Sequence, residues 1–441
     1  MSRNEKLRVL IAGGGIGGLA LAQGLRQAGV RVSVHEKTKT RTDAVQGFRV
    51  HIDPFGATAL KNCLPAHLFD AFVTSAGTGG NGFTFATEQL RELLTIEPEL
   101  RNGGSTLPED NHYGVSRITL RQILLADLDE DVVHFDNALR GYETHADGTV
   151  TAHFADGSSA TGDVLVGADG GGSKVRGQYL PEAGRVDTGI VGIAGKYLLT
   201  KENRARLDPM LLRTPMSVMP PKDYGMFCAP HELDAPTDLL AAGIGGNDGA
   251  GAGTHLDNTR SYAFWAFAAR RHAFEPALGK LEALDGVSLR ELVLDKINDW
   301  SPALRFLVTE SAVDTINAIP ILSATPMQPW PTTNVTLLGD AIHSMTPFRG
   351  IGANTALRDA QLLSRQLITA DRGELSLLDA INGYETQMLD YGFAAVRTSL
   401  RAAEQFVSSG RAGRVMAKTM FRTVSAIPPL KRRMFADQKP R

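Results

Sequence analysis

The chain has 441 residues, with 46 Lys and Arg against 48 Asp and Glu and a formal net charge of −2. That length suits two domains or one large discontinuous one, and the near-neutral balance gives no overall electrostatic pull toward nucleic acid. Two cysteines, Cys63 and Cys228, make no disulfide framework and no metal-ligand cluster. With no signal-peptide core at the N-terminus and no apolar run of about 20 residues, a cytoplasmic protein is expected.

Residues 9–12 are a short apolar run that reads as a buried parallel strand. Gly13, Gly15 and Gly18 follow as G-x-G-x-x-G, and a helical pattern comes next, with Leu19, Ala22, Leu25 and Ala28 on one face. Gly29 stops it, and residues 30–34 form a second strand that ends at Glu36. This arrangement is the dinucleotide fingerprint. Gly13 permits the tight turn, Gly15 lets backbone approach a pyrophosphate, and Gly18 lets helix pack on strand. The helix N-terminus offers free N–H groups to phosphate, and Glu36 stands where an acid bonds ribose hydroxyls. Such an acid argues against a 2′-phosphorylated cofactor. NAD and FAD both fit this stretch.

Asp53 caps a helix that begins at Pro54 and carries Ala57, Leu60 and Leu64. Residues 74–82 are rich in Gly, Thr and Ser and read as a boundary. Phe83 and Phe85 alternate as in a strand, and 97–112 is a polar loop. Residues 115–128 give a helical apolar face through Leu120, Ile123 and Leu124, with Arg117 at its start. Taken alone, Arg117 reads as a solvated surface residue. Asp147-Gly148 and Asp156-Gly157 are hairpin signals, so 139–161 is expected to be a three-stranded meander. It delivers the chain to DVLVGADG at 163–170, a buried strand ending at Asp169 and Gly170, followed by Ser173 and Arg176.

Strand-like runs at 188–199, 214–219, 224–229, 238–244 and 261–268 predict a mostly antiparallel sheet able to cover a pocket. The glycine-rich loop at 243–255 is expected to be a mobile connection or a lid. Residues 289–300 look helical, and Pro302 redirects the chain. Residues 335–338 form another buried strand ending at Gly339-Asp340. The loop HSMTPFRGIGAN leads from there into a helix with Ala356, Ala360, Leu363 and Leu367 on one face. The tail from Arg397 is helical and basic. It is expected to pack across two domains with a solvated basic face, and binding to a membrane surface is less favoured.

Three segments occur in order: the glycine turn at 13–18, DVLVGADG at 163–170, and LLGDAIHSMTPFRGIGAN at 337–354. Arg117, Leu120 and Leu124 add an Arg-x-x-Leu-x-x-x-Leu helix start. Together they resemble the class A flavoprotein monooxygenases, the p-hydroxybenzoate hydroxylase-like enzymes, over about residues 7–370. The resemblance implies an α/β fold with a Rossmann-like FAD-binding domain of glutathione reductase type. It also implies an inserted, mostly antiparallel substrate domain and a C-terminal helix. The expected parts are 1–75, 113–184 and 325–395 for FAD, 76–112 and 185–324 for substrate, and 396–441 for the basic tail.

The implied cofactors are bound FAD and transient NADPH or NADH. The implied chemistry is transfer of one oxygen atom from a flavin C4a-hydroperoxide, formed with O2, to an apolar aromatic or polyketide-like molecule. Gly13, Gly15, Gly18, Glu36, Arg49, Arg117, Asp169, Asp340, Gly352, Ala353 and Asn354 are the candidate FAD residues. Arg49 is open between pyrophosphate and substrate. Asp340 is expected on the ribityl chain. Pro347, Gly350 and Gly352 are expected to offer backbone at the flavin edge, and His343 is read as a structural hydrogen-bonder. Met216, Phe227, Trp265, Phe267 and Phe348 are the candidate pocket residues. No His, Tyr or Arg of the 185–270 sheet stands out as a group that positions a phenolate. Ile351 replaces a Gln common in the family, a peripheral change. No metal is suggested by His or Cys spacing. The rival readings are a non-redox FAD-containing cyclase or isomerase and a membrane-attached quinone-pathway hydroxylase.

Overall fold

The computed structural model describes residues 6–41, 49–76, 82–101, 105–232, 261–274, 281–408 and 410–435. The expected strand–turn–helix–strand unit is formed by Arg8–Ala12, Ile16–Gln27 and Arg31–His35. It sits in a five-stranded sheet ordered Val335–Leu337, Val164–Gly167, Arg8–Ala12, Arg31–His35, Val133–His134, every pairing parallel. The central strands are continuously apolar because both faces are covered. The Ile16–Gln27 and Gly352–Asp371 helices pack together on one side, and the expected meander lies against the other. That meander consists of Leu139–Thr144, Val150–Phe154 and Ser159–Gly162. At its two turns Gly148 and Gly157 take φ of +82° and +88°, and the Asp147 and Asp156 carboxylates accept the N–H groups of Thr149 and Ser158.

A seven-stranded sheet runs in the order Asn317–Ala324, Arg185–Leu198, Tyr262–Arg270, Tyr224–His231, Met216–Val218, Phe83–Ala86, Glu92–Ile96. It is antiparallel except where Met216–Val218 meets Phe83–Ala86. Side chains alternate between its faces. Met216, Met226, Trp265 and Phe267 enter a core with Leu289 and Leu304 from the covering helices Gly286–Lys296 and Pro302–Thr309 and with Trp300 from the turn between them. Pro302 redirects the chain by opening that second helix, capped by Ser301. A two-stranded ribbon, Arg49–Ile52 with Tyr113–Ser116, packs between the Gly352–Asp371 helix and the Tyr224–His231 strand of that sheet.

The helix expected from Arg397 is the end of a longer one, Leu377–Phe406, and two more follow at Arg411–Ala426 and Pro428–Phe435. These last two pack against the end of the antiparallel sheet, where Val424 clusters with Leu94 and Ile96 of the outer strand Glu92–Ile96. Phe421 stacks on Phe85 at 4.3 Å, Lys418 pairs with Glu88 at 3.2 Å, and Arg414 donates to the Pro220 carbonyl at 3.0 Å. The expected strand at 238–244 and the loop at 243–255 lie outside the described residues.

Candidate active site

The glycine turn is built by close approach. A Cβ on Gly13, whose φ is +112°, would lie 2.4 Å from the Ala168 carbonyl oxygen, and one on Gly18 would lie 2.2 Å from the Gly13 oxygen. Gly15 differs: a Cβ there meets nothing within 4 Å. Gly15 is also the N-cap of the Ile16–Gln27 helix, which has no side-chain cap. Free helix N–H groups facing open space are an anion site. Glu36 is 7% exposed, and its Oε2 accepts the Gly14 N–H at 2.5 Å while Oε1 accepts Thr38 N–H at 2.9 Å. Each oxygen keeps a lone pair for a ribose hydroxyl.

Arg121 escaped the sequence reading. It is buried and donates to the Gly14 carbonyl at 3.1 Å and the Arg41 carbonyl at 2.8 Å, locking the turn. A charged residue one turn beyond Arg117, flanked by Leu120 and Ile123, was the available signal. Arg117 itself is exposed at the first position of the Arg117–Leu125 helix.

Asp169 stands beside the glycine turn, its Oδ2 accepting Lys174 N–H at 2.6 Å and its Oδ1 buried without a partner among the described residues. Arg176 bonds the Ala341 and Gly171 carbonyls at 2.7 and 2.9 Å, so it staples the second motif to the third. Asp340 is exposed and begins a short helix just past the carboxyl end of the Val335–Leu337 strand, where parallel sheets bind ligands. Behind it, Asp359 accepts from Gly339 N–H at 2.8 Å, His343 Nε2 at 2.6 Å and Tyr391 O–H at 2.6 Å. Burial works against the His343 charge, but Asp359 outweighs it and raises the His343 pKa. His343 is therefore held inside the fold, away from any reacting atom.

Pro347–Arg349 is a single 3-10 turn, Gly350 takes φ of +63°, and the Gly352–Asp371 helix begins without a side-chain cap. Pro347 and Gly350 are exposed, and Gly352 and Ala353 are half-buried in the helix's first turn. Asn354 is inside: its Oδ1 accepts Asp53 N–H at 2.9 Å, and its Nδ2 donates to the carbonyls of His51 at 2.9 Å and Gly350 at 3.1 Å. Its side chain thus ties the loop to the ribbon, and only its backbone is left for a ligand. A Cβ on Gly350 would sit 3.7 Å from the His51 Cβ.

The antiparallel sheet turns a polar face toward this loop and ribbon, and three pocket expectations need correction there. Met216, Trp265 and Phe267 are each 0% exposed on the opposite, core face, with Trp265 Nε1 donating to Ser311 Oγ at 2.8 Å. Period-two alternation shows that Trp265 and Phe264 face opposite ways, but not which face is core. Phe227 shares the ligand-side face with Phe264, and Phe348 packs with Phe406 over Ala268 and Ile321. That face also carries Lys196, His231 and Tyr262, the polar residues the sequence reading did not single out. Arg49 joins them rather than the glycine turn. It lies over Gly114, and the Tyr262 phenol is its electrostatic neighbour.

A family model described as an FAD binding domain matches residues 311–399. A solved structure of a putative FAD containing monooxygenase from Photorhabdus luminescens is 32% identical, with a TM-score of 0.78 over 91% of this chain and 99% of that one. The chain belongs to the class A FAD-dependent monooxygenases. It is also 32% identical, over 394 residues, to the dual O-methyltransferase/FAD-dependent monooxygenase CTB3 of Cercospora beticola, a match of 86% of this chain and 44% of that protein. The chain thus spans less than half the length of that curated relative. Klebsiella pneumoniae HpxO, solved with FAD and uric acid, shares the fold at 22% identity and a TM-score of 0.76, over 98% of this chain and 96% of that one. The residues present fit FAD. Gly15 leaves room for a diphosphate, Glu36 suits the adenosine ribose, and Asp340 offers a free carboxylate to the ribityl hydroxyls. Among the described residues, no helix is long and apolar enough to cross a membrane.

Proposed function

We propose that the chain is a single-component, cytoplasmic monooxygenase that uses NADPH or NADH and O2 to hydroxylate or epoxidise an aromatic or polyketide-like small molecule. For hydroxylation the balance is R–H + O2 + NAD(P)H + H+ → R–OH + H2O + NAD(P)+. One observation carries the reading: the exposed turn at Pro347–Gly352 stands against the ligand-side face of the seven-stranded sheet, joined to it through Phe348. Bound FAD supplies the electron transfer and the activation of dioxygen. Gly352 and Ala353 lie at the positive end of a 20-residue helix, where their N–H groups would stabilise negative charge on a reduced flavin. Asn354 holds that turn against the ribbon. Phe348 and Phe406 form an apolar wall that keeps water from the reacting carbon. The sequence holds no second dinucleotide fingerprint, so the nicotinamide cofactor binds transiently.

Turnover under 18O2 tests this. One labelled oxygen in the product, the other in water, and one NAD(P)H consumed per product are expected. Substrate conversion without O2 consumption would reject the reading in favour of a non-redox cyclase or isomerase.

A further inference from the structure

The ligand-side face contains a buried group of polar side chains that the FAD motifs do not use. His231 and Tyr262 are cross-strand partners, 2% and 5% exposed, with ring centroids 4.9 Å apart. Among the described residues the His231 Nε2 is buried without a hydrogen-bond partner, and the buried Tyr262 hydroxyl, whose oxygen faces the Arg49 backbone N–H, has no acceptor for its proton. Arg49 is half-buried, its desolvated guanidinium is an electrostatic neighbour of both, and among the described residues no carboxylate neutralises it. Lys196 adds positive potential, its Nζ lying 4.5 Å from the Tyr262 ring centroid. Arg101, the last residue of the short helix Pro98–Arg101, lies 3.2 Å from His51 Nε2 on the ribbon and 3.0 Å from His112 Nδ1, which extends the positive field toward Gly350.

Buried charges in folded proteins are paired, and buried polar atoms are bonded. Here a guanidinium, a phenol O–H and an imidazole converge with no anion among them. Burial brings the Arg49 pKa down to about 10, so the group is still charged at neutral pH. Burial also raises the Tyr262 pKa, which keeps its O–H as a donor. A planar guanidinium fork and a phenol donor match a delocalised oxyanion.

We propose that Arg49, His231 and Tyr262 form the receptor for an acidic oxygen of the substrate, a carboxylate, phenolate or enolate, and thereby select which molecules reach the flavin. This rests on the monooxygenase reading and revises its expectation of a purely apolar substrate. The aromatic side chains Phe227 and Phe264 on the same face take the carbon skeleton, and the cationic group fixes its orientation.

The test is isothermal titration calorimetry on the oxidised, FAD-loaded protein at pH 7, without NAD(P)H. The probes are 1-hydroxy-2-naphthoate and the neutral 1-hydroxy-2-naphthamide, with the amide's O-methyl ether as a third arm. The naphthoate is expected to bind at least about tenfold more tightly than the amide, since one partner of a buried charge pair is lost. Arg49→Gln and the milder Tyr262→Phe should each erase most of that difference while FAD content is kept. A carboxylate receptor treats the amide and its ether alike, and an enol or phenol receptor prefers the amide. Equal binding of naphthoate, amide and ether, no binding of any of them, or a preference that survives both substitutions overturns the proposal. So does loss of FAD from Arg49→Gln with no change of preference in Tyr262→Phe, which would place Arg49 on the cofactor. Binding is read without turnover. A protein that prefers the anion but never oxidises NAD(P)H therefore contradicts the monooxygenase reading and not this one.

Discussion

Replacing Gly15 by Ala separates the cofactor geometry from the fold. Gly15 has φ of −81°, which any residue adopts, and its added Cβ meets nothing within 4 Å. The apoprotein should lose only the difference between Gly and Ala at a helix N-cap, about 0.5–1 kcal/mol. FAD is affected differently, because the methyl group occupies the space through which a diphosphate reaches the first-turn N–H groups. Losing one hydrogen bond to a charged group costs about 1.5–3 kcal/mol, which weakens binding roughly 10- to 150-fold. The assay is titration of the stripped protein with FAD, followed by flavin fluorescence, with circular dichroism as the control on folding. Gly18→Ala is the contrast. Its Cβ would lie 2.2 Å from the Gly13 oxygen, so the fold itself should suffer. A Gly15→Ala protein that folds and binds FAD as tightly as the parent would refute the assignment of the pyrophosphate to this turn.

Asp340 is exposed and begins its helix. Asp340→Ala should therefore leave thermal stability of the apoprotein nearly unchanged while lowering FAD affinity about tenfold or more, and full flavin content after purification would contradict a ribityl contact. Trp265→Ala should cost about 3–5 kcal/mol by urea unfolding, because the residue is fully buried in the core; a changed substrate affinity at unchanged stability would return Trp265 to the pocket. His35, His112 and His231 are pushed, chiefly by burial, down to about 4, 3 and 3. Their folded pKa values lie below the unfolded 6.5, so the unfolded chain binds more protons below that pH. Stability should thus fall as pH drops from about 6.5 toward 3, with each group taking up about one proton on unfolding near pH 5. His231→Gln should flatten that fall, and an unchanged thermal-midpoint profile across this range would show that the group is not buried in its neutral form.

The local parts of the site were legible because their causes are local. The glycine turn, the Asp53 cap with Pro54, and the two Asp-Gly hairpins each depend on a few adjacent residues, and each forms where the sequence places it. Asp340 was legible as an acid at a strand's carboxyl end. His231 and Tyr262 were not, because they meet only through the pairing register of two strands whose connecting segment carries no signal of that register. Arg121 was hidden by the helical pattern around it, which marks the apolar face but says nothing of a guanidinium reaching across to Gly14. Trp265 and Phe267 were misplaced for a related reason: alternation fixes that neighbours face opposite ways, while the choice of core face is made by the helices packed behind the sheet.

The most direct test of the central claim is the visible spectrum of the purified protein under anaerobic conditions, before and after NADPH or NADH is added, followed by admission of air. A yellow protein whose flavin band bleaches with the reductant and returns with O2 is the result expected of a flavin monooxygenase. A protein that carries no flavin and takes up none when FAD is added would contradict it, and a bound flavin that neither NADPH nor NADH reduces would contradict the proposed redox cycle.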